Sequence, residues 1–299
     1  MTALLLLQLA LPCVYSTQGV EGRATLEAAG VTRVCSDADL ASRERLETPG
    51  IVARADLASP TRSPWIVANG WRFMRQPKEK YVYDVPAAKA ALAAAEAFAY
   101  GADAVVRIQN LEDLRGDLRG LGAMLTFLGQ LPRADLTPIA DLAVVDDGSA
   151  VTGEVMNLLA RRNLLFEIVR SPSPRYRINI AVGSPAYPRE EAADPSAFAL
   201  KIRRQLTDEQ RTLRVYGSEV VLCHFTGAAG RIRLHLLNYG GRDVEGLRVR
   251  LRGAYRGQDA QVAGTGRVML EDLIVADGAT EFSLPRLTTY AVVDLEPAR

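Results

Sequence analysis

Apolar and polar positions follow two different periods in the two parts of the chain. Between residues 80 and 210, short apolar runs such as ADAVVRIQ and LAVVDDG alternate with segments of helical period, of which the alanine-rich stretch from Pro86 to Gly101 is the clearest. Buried strands that alternate with helices are typical of a parallel sheet flanked by helices. The pattern predicts an α/β region over residues 20–212, with a sub-boundary near residue 135.

After Thr212 the helical period ends. Segments such as RIRLHLLNYG and EGLRVRLRG have the alternation of strands and are separated by Gly, Asn and Asp turns. This pattern predicts a β-sandwich domain over residues 213–299. The length of 299 residues agrees with two domains, because chains of this length usually fold into more than one domain, each with its own core.

Residues 1–17 are apolar and uncharged, and they lie where a secretory signal peptide would lie. We therefore expect a signal peptide, a mature chain that begins between residues 16 and 21, and a protein exported to the periplasm or the medium. The stretch lacks the Lys or Arg that usually precedes the apolar run, so an N-terminal anchor and a buried first strand remain alternatives. No later stretch is long and apolar enough to cross a bilayer.

The composition is that of a globular protein, with 48% hydrophobic residues, 24% charged residues and a net charge of +1. Lys and Arg are mixed with acidic residues along the chain instead of forming a basic face, which excludes a nucleic-acid binder. The glycines of GDLRGLG and DDGSAVTG lack the spacing and the Lys of a phosphate loop, so we expect no cofactor.

The cysteines and histidines offer little for metal or nucleophile chemistry. Without the leader, Cys35 and Cys223 remain, and their apolar surroundings favour two free buried thiols over one disulfide. His224 and His235 lie on predicted strands, where alternation places each opposite its apolar neighbours and toward solvent. We expect no metal site.

Some aspartates lie near the carboxyl ends of predicted parallel strands, where ligand sites of α/β proteins form. Two carboxyl groups held about 5–10 Å apart can hydrolyse a glycosidic bond, and Asp37 and Asp56 are the catalytic candidates. Asp146 and Asp147 are substrate-binding candidates. They also precede a Gly-Ser pair, and such residues are more often the turn and cap of the following helix.

An irregular section rich in proline and aromatic residues, SPTRSPWIVANGWRFMRQPKEKYVYDVP, precedes the alanine-rich helix. Indole and phenol rings offer flat faces to a sugar, and Asn, Arg and Asp side chains bind its hydroxyls, so this section is a candidate carbohydrate cleft. In the alternative interpretation, Trp65 and Trp71 only anchor the loop to the domain. The candidate contact residues are Trp65, Asn69, Trp71, Arg72, Tyr81, Tyr83 and Asp84.

Three stretches resemble parts of the multidomain glycoside hydrolases of the β-galactosidase-like kind. The first, RIRLHLLNYGGRDVEGLRVRLRGAY together with FSLPRLTTYAVVDL, resembles their terminal β-sandwich. The second, DLAVVDDGSAVTGEVMNLLARRNLLFEIV, resembles the α/β domain that follows their catalytic barrel and is related to class I amidotransferases. The third, YVYDVPAAKAALAAAEAFAYGADAVVRIQ, resembles the last strand and helix units of that barrel.

The resemblance implies an incomplete TIM-type barrel, a flavodoxin- or amidotransferase-like unit and a β-sandwich, because the about 190 residues before the sandwich are fewer than the about 250 of an eight-stranded barrel. The paired catalytic glutamates of those enzymes match no motif in this chain. The resemblance therefore implies an exported carbohydrate-active or carbohydrate-binding protein without full catalytic machinery. The alternatives are an active glycoside hydrolase that uses Asp37 or Asp56 as one of its acids, and a non-enzymatic assembly module that forms homo-oligomers.

Overall fold

The computed structural model describes residues 11–52, 64–111, 115–132, 136–228 and 230–298. Up to residue 145 its elements are β1 (Cys13–Ser16), α1 (Gly19–Ala28), β2 (Glu44–Leu46), β3 (Gly50–Ile51), β4 (Ile66–Val67), α2 (Gly70–Arg75), β5 (Lys80–Val85), α3 (Ala87–Ala99), β6 (Asp103–Ile108), α4 (Arg115–Gln130), β7 (Thr137–Pro138) and β8 (Leu142–Val145). They are followed by α5 (Ala150–Arg161), β9 (Phe166–Val169), β10 (Asn179–Ile180), α6 (Pro195–Leu206), β11 (Leu213–Tyr216), β12 (Val221–Ala228), β13 (Arg231–Asn238), β14 (Val244–Arg252), β15 (Tyr255–Arg256), β16 (Asp259–Val262), β17 (Gly266–Met269), β18 (Glu271–Ala276), β19 (Ala279–Leu287) and β20 (Tyr290–Pro297). Short 3₁₀ helices cover Asp37–Leu40 and Glu191–Ala193.

The chain divides into two compact units, each made of two stretches of sequence. Unit 1 consists of Met1–Thr48 and Gln76–Ala134, and unit 2 consists of Pro49–Arg75 and Asp135–Arg299.

Unit 1 contains a four-stranded parallel sheet in the order β1-β6-β5-β2. Neighbouring parallel strands need a crossover connection, and the helix α3 makes this connection between β5 and β6. On one face of the sheet, Tyr83 donates a hydrogen bond to Glu96 of α3. On the other face, Val82 and Val105 pack in a small cluster with Cys35. The two faces of the sheet therefore have different surroundings.

The alanine-rich helix α3 packs closely because its side chains are short. Ala90, Ala93 and Ala97 are completely buried. Pro86 occupies the N-cap position, and Gly101 follows the helix with a φ of +66°, a conformation that favours glycine. The helix predicted between these two residues is confirmed.

The first strand lies within the segment that was predicted to be the leader. Residues Cys13–Ser16, which the prediction placed in the cleaved segment, form β1 and pair in parallel with β6, and Val14 is completely buried. Cleavage between residues 16 and 21 would remove this strand from the sheet, so the alternative of a buried first strand fits residues 13–16. Residues 1–10 lie outside the described residues. In the described ranges, no helix is long and apolar enough to span a membrane.

A disulfide also corrects the prediction for Cys35. It joins Cys35 to Cys13, whose Cα atom lies 5.6 Å from that of Cys35, whereas Cys223 is free and buried. The prediction of a free Cys35 was wrong because it assumed that Cys13 is removed with the leader.

The α/β part of unit 2 contains a three-stranded parallel sheet in the order β10-β8-β9. Helices α2, α5 and α6 contribute to one core with this sheet. Val144 of β8, Met156 of α5, Phe198 of α6 and Trp71 of α2 are all members of this core. The burial of these apolar side chains is the main stabilising contribution to this part of the unit.

The antiparallel strands form the rest of unit 2. A seven-stranded sheet runs β17-β16-β20-β13-β12-β7, with β15 also paired to β20, and a four-stranded sheet runs β11-β14-β19-β18. Phe225, Leu234 and Val293 of the larger sheet share one core cluster with Val249 and Phe282 of the smaller sheet. The two sheets thus bury one common apolar core.

The predicted fold class is confirmed as a mixed α/β protein with parallel sheets followed by antiparallel sheets. Several contacts within unit 2 cross residue 212, where the helical period of the sequence ends. The Phe225 carbonyl accepts a hydrogen bond from Ile139 N at 2.8 Å, and the Asn163 side chain accepts one from Cys223 N at 2.8 Å. The domain boundary at residue 212 stays a prediction.

The two histidines correct the expectation that they face solvent. His224 and His235 are cross-strand partners on β12 and β13, and both are buried. Their face of the sheet also carries Leu222, Leu237 and Val292, which are almost completely buried, so alternation did not separate a core side from a solvent side. Burial lowers the pKa of His224 to about 4. Among the described residues, no group of three or more His, Cys, Asp or Glu side chains could hold a metal ion.

The disulfide allows a direct measurement of how much of the N-terminal segment the mature protein keeps. A thiol titration of denatured, unreduced protein should give one free thiol, because Cys13 and Cys35 are joined and Cys223 is free. Cleavage beyond Cys13 would give two free thiols, and an unformed disulfide would give three. The double variant Cys13→Ser, Cys35→Ser should lose about 2–4 kcal/mol of unfolding free energy in urea titrations. Unlike the wild type, this variant should not respond to reductant.

Candidate functional site

Three polar residues lie side by side across the unit 1 sheet, and we call them the polar row: Tyr15, Arg107 and Asp84. Tyr15 of β1 is the register partner of Arg107 on β6, which is the register partner of Asp84 on β5. Each lies one residue from the carboxyl end of its strand. Side chains alternate along a strand, so Asp84 points away from the face on which Tyr83 contacts α3. The polar row therefore occupies the face opposite α3.

Two arginines hold the Asp84 carboxylate. Arg107 Nη2 donates to Asp84 Oδ2 at 2.6 Å, and Arg45 Nε donates to the same oxygen at 2.7 Å. Asp84 and Arg107 are mostly buried, with side-chain exposures of 13% and 25%. The hydrogen bonds from Arg107, followed by those from Arg45, lower the pKa of the Asp84 carboxyl. Asp84 is therefore a fixed carboxylate at neutral pH.

Asp37 adjoins the other end of the polar row. The Tyr15 hydroxyl donates to Asp37 Oδ1 at 2.5 Å, and this hydrogen bond raises the pKa of Tyr15. Asp37 begins the 3₁₀ helix Asp37–Leu40, which is capped by Ser36. The Ser36 N and Oγ atoms both donate to Asp39 Oδ2 at 2.8 Å, so the turn that carries Asp37 is held in place.

The polar row combines groups that can bind hydroxyls. Carboxylates accept hydrogen bonds and guanidinium groups donate them, which together suit the hydroxyls of a polyol. Hydrolysis of a glycoside requires one carboxylic acid that donates a proton, whereas arginines keep Asp84 ionised. Asp56, the other catalytic candidate beside Asp37, lies outside the described residues.

Trp71 anchors unit 2, which corrects its assignment as a sugar-stacking residue. The side chain is buried, with 5% of the residue exposed, and belongs to the core around β8, α5 and α6. A Cβ atom on Gly153 of α5 would lie 3.0 Å from the indole ring, which shows how closely the helix approaches it. Because the ring faces are covered by protein, they are not available to a sugar.

Other candidates of the aromatic section also have structural roles. Asn69 is buried, and its main-chain oxygen accepts from Arg72 N at 2.8 Å as α2 begins. The Arg72 guanidinium lies 4.5 Å from the centroid of the Trp71 ring. The Arg161 guanidinium lies 4.2 Å from the centroid of the partly buried Trp65 ring. These residues belong to unit 2.

Tyr81 and Tyr83 belong to unit 1 and are almost completely buried. The Tyr81 hydroxyl donates to Gln76 O at 2.9 Å, and the Tyr83 hydroxyl donates to Glu96. The aromatic section therefore divides between the two units, and its buried rings are packing residues.

Asp146 and Asp147 form the turn before α5, as in the capping alternative. Asp146 Oδ1 lies 2.6 Å from Arg75 Nη2 and also accepts from Gly148 N at 3.0 Å. Asp147 accepts from Ser149 N at 2.9 Å. Burial acts to raise the pKa of Asp147, but hydrogen bonds from Ser149 outweigh it, and the pKa falls to about 2. Both carboxylates have hydrogen bonds within the turn, as the capping alternative expects, and their assignment to substrate binding stays a prediction.

Of the sequence-predicted candidates, Asp84 belongs to the polar row and Asp37 contacts its member Tyr15. Sequence reasoning missed Tyr15, Arg107 and Arg45. Tyr15 was overlooked because it lay in the assigned leader, and Arg107 because the run ADAVVRIQ was interpreted as uniformly buried. A charged residue near the carboxyl end of such a run is a signal that would have indicated Arg107.

No protein-family model matches the sequence, and no curated protein matches it. Among solved structures, the α-L-fucosidase isoenzyme 2 from Paenibacillus thiaminolyticus is similar with a TM-score of 0.58 and 11% identity, over 77% of this chain and 62% of that one. A β-galactosidase from Bacillus circulans sp. alkalophilus has a TM-score of 0.43 and 11% identity, over 77% of this chain and 61% of that one. A rhamnosidase from Novosphingobium sp. PP1Y has a TM-score of 0.45 and 8% identity, over 74% of this chain and 31% of that one.

This chain therefore spans about three fifths of the length of the first two of these structures. The similarity to the fucosidase shows that the chain has a glycoside-hydrolase-like fold. The resemblance to glycoside hydrolases found in the sequence is therefore confirmed for the fold. One fold can carry many functions, so the side chains of the site decide what such a chain does.

The anchoring role of Trp71 predicts a loss of stability without a loss of ligand binding. Trp71→Ala should lower the unfolding free energy by about 3–5 kcal/mol, because it leaves a cavity in the unit 2 core. Trp71→Phe should lower the unfolding free energy less, since the phenyl ring still fills part of the space. Urea unfolding followed by circular dichroism measures both changes. A Trp71→Ala protein of wild-type stability with weakened glycan binding would contradict the anchoring role.

Proposed function

We propose that this chain is an exported carbohydrate-binding protein of glycoside-hydrolase ancestry, in which the polar row binds a sugar without hydrolysing it. The observation that carries the proposal is the position of the polar row: near the carboxyl ends of parallel strands, on the face opposite α3. Ligand sites of α/β folds form at the carboxyl ends of parallel strands.

The strand order of unit 1 fits an incomplete TIM-type barrel. Strands β2, β5 and β6 lie side by side in chain order, and β1 pairs with β6, the latest of the parallel strands described in this unit. A closed barrel likewise pairs its first strand with its last, with helices outside and side chains of the inner face near the active site. In this interpretation the polar row occupies the equivalent of the inner face.

The elements of unit 2 fit the other two parts of the same ancestry. The parallel strands β10-β8-β9 with α5 and α6 fit a flavodoxin- or amidotransferase-like unit, and the two antiparallel sheets with a shared core fit a β-sandwich.

The chemistry of the polar row favours binding over catalysis. Within the polar row, Asp84 supplies carboxylate oxygens and Arg107 supplies guanidinium donors, and beside it Asp37 and Arg45 add one of each kind. Together these groups match sugar hydroxyls, which both donate and accept. Because Asp84 is held by two arginines, it serves as an acceptor of fixed orientation.

The disulfide supports export. Disulfides persist in oxidising compartments and are rare in the cytosol. The Cys13–Cys35 bond closes a loop with a sequence separation of 22 residues within unit 1. We therefore retain export as part of the proposal, with a mature chain that keeps β1.

A glycan array followed by titration calorimetry tests the proposal. Asp84→Asn should weaken binding of the best glycan about tenfold or more, because a hydrogen bond to a charged group contributes roughly 1.5–3 kcal/mol. Asp103→Asn is the matched control. Asp103 lies at the amino end of β6 and also forms an ion pair with an arginine, Arg43, at 2.9 Å, but it is remote from the carboxyl ends of the strands. It should bind as the wild type does.

Equal weakening by both variants, or no binding to any glycan, would contradict the proposal. Hydrolysis of nitrophenyl glycosides by the wild type, abolished by Asp37→Asn, would instead establish the active-hydrolase alternative.

An exposed edge strand favours an assembly module as a second candidate function. Strand β18 lies at the edge of the four-stranded sheet, and all of its residues are exposed. Ile274 is 55% exposed, and Leu273 and Val275 are also exposed. An exposed apolar edge strand offers unpaired main-chain groups to a second chain.

Sedimentation of wild type and variants tests this candidate. If β18 mediates self-association, Ile274→Lys should convert the oligomer to a monomer without unfolding it, since the new ammonium lies opposite Glu281 on β19. Val20→Lys, at a residue of α1 that is 86% exposed, is the control and should not change the oligomeric state. A monomeric wild type would exclude the assembly module.

A further inference from the structure

A pocket of about 270 Å³ in unit 2 is lined by an unusual number of cations. It lies among the carboxyl end of α5, the carboxyl-terminal half of α6 and the beginning of β11. Only one acidic side chain, that of Glu219, is part of its lining among the described residues. We call it the arginine pocket, and its cations are Arg161, Arg162, Arg203, Arg211 and Arg214.

The positive charge of the arginine pocket is only partly compensated. Arg203 Nη2 and Arg211 Nη1 both bind the carboxylate of Asp208, each at 3.2 Å, so two cations share one anion. Arg162 and Arg214 form no ion pair with any residue that the structure describes. Helix carboxyl ends attract cations, but this effect is small and falls off within one turn, so it does not balance the whole group.

Two of the arginines also have unused buried donors. The Nε atoms of Arg211 and Arg214 are buried and have no hydrogen-bond partner in the described part of the chain. Arg211 is 6% exposed, so its guanidinium is largely removed from water. Burial, and then the repulsion of Arg203, lower the pKa of Arg162, and burial is the main cause of the lowered pKa of Arg211. Buried cationic donors of this kind are costly unless an acceptor is supplied.

We propose that the arginine pocket binds a small molecule through a phosphate or sulfate group that Arg162, Arg211 and Arg214 contact. Planar guanidinium groups form paired hydrogen bonds with the oxygens of such groups. The negative charge of the group, up to about two on a phosphate monoester and one on a sulfate ester, would offset the uncompensated cations. The pocket has the volume of about nine water molecules at roughly 30 Å³ each, which leaves room for a ring of sugar size beside the anion. Pro64, Ile66 and Leu158 supply an apolar wall for that part of the ligand.

Calorimetric titration with five probes tests this site. Glucose 6-phosphate and glucose 6-sulfate should bind saturably at millimolar or lower concentrations, and inorganic sulfate more weakly. Glucuronate carries a carboxylate in place of the tetrahedral oxyanion, and glucose carries no charge. Neither of them should bind at this site. Tighter binding of glucuronate than of both esters would overturn the assignment of a phosphate or sulfate group.

The variants separate specific binding from general effects of anions on proteins. Arg162→Gln with Arg214→Gln should weaken ester binding at least tenfold. Arg204→Gln removes an exposed arginine of α6 that does not line the pocket, and it should bind as the wild type does. Without ligand, the double variant should melt at or above the wild-type temperature, because like-charge repulsion is relieved.

Equal affinities of the double variant and Arg204→Gln, or no saturable binding of either ester, would overturn the proposal. A double variant that melts at a lower temperature and keeps its affinity would show that the arginines only support the fold. Asp84→Asn, in the polar row of unit 1, should leave ester binding unchanged, so failure of this proposal is distinguishable from failure of the polar row to bind sugars.

Discussion

The packing of α3 on the parallel sheet of unit 1 determines which side chains of that unit are available for chemistry. Tyr83 and its neighbours on the same face are buried against the helix, and the Tyr83 hydroxyl is used by Glu96. Side chains alternate along a strand, so this packing turns Asp84 and Arg107 to the opposite face. The alanines of α3 make the arrangement possible, because longer side chains would hold the helix away from the sheet.

Charge has different roles in different parts of the molecule. The chain has 36 basic and 35 acidic residues, so its charge is almost balanced overall. In the polar row and in the turn before α5, each aspartate has an arginine partner, as Asp84 has Arg107 and Asp146 has Arg75. In the arginine pocket, the cations outnumber the carboxylates. A local excess of one sign needs a separate explanation, and an anionic ligand supplies one.

A glycoside-hydrolase-like fold does not by itself establish hydrolysis. The chemistry of that reaction depends on two carboxyl groups whose pKa values are set apart by their surroundings. Asp84 lies where such folds place functional residues, but its arginine partners lower its pKa. In the proposed function, the same scaffold binds hydroxyl groups and needs no proton donor.

Several elements could be predicted from the sequence because their signals are local. The helix after Pro86 follows from its alanine content and the glycine that ends it. The turn and cap expected before α5 are present, with Ser149 as the N-cap that accepts from Thr152 N, and the alternation after Thr212 correctly predicted antiparallel strands. Of the candidate site, Asp37 could be identified as a polar residue near a strand end and Asp84 as a polar residue of the irregular aromatic section.

The tertiary structure decided everything that depends on pairing between distant segments. An uncharged apolar segment fits a leader and a strand equally well, and only its pairing with β6 and the disulfide to Cys35 distinguish the two for residues 13–16. Alternation could not show that both faces of the sheet around His224 are covered. The cations of the arginine pocket come from three separate stretches, around residues 161, 203 and 212. The spacing of these arginines in the sequence does not predict that they line one pocket, because the packing of α5, α6 and β11 brings them together.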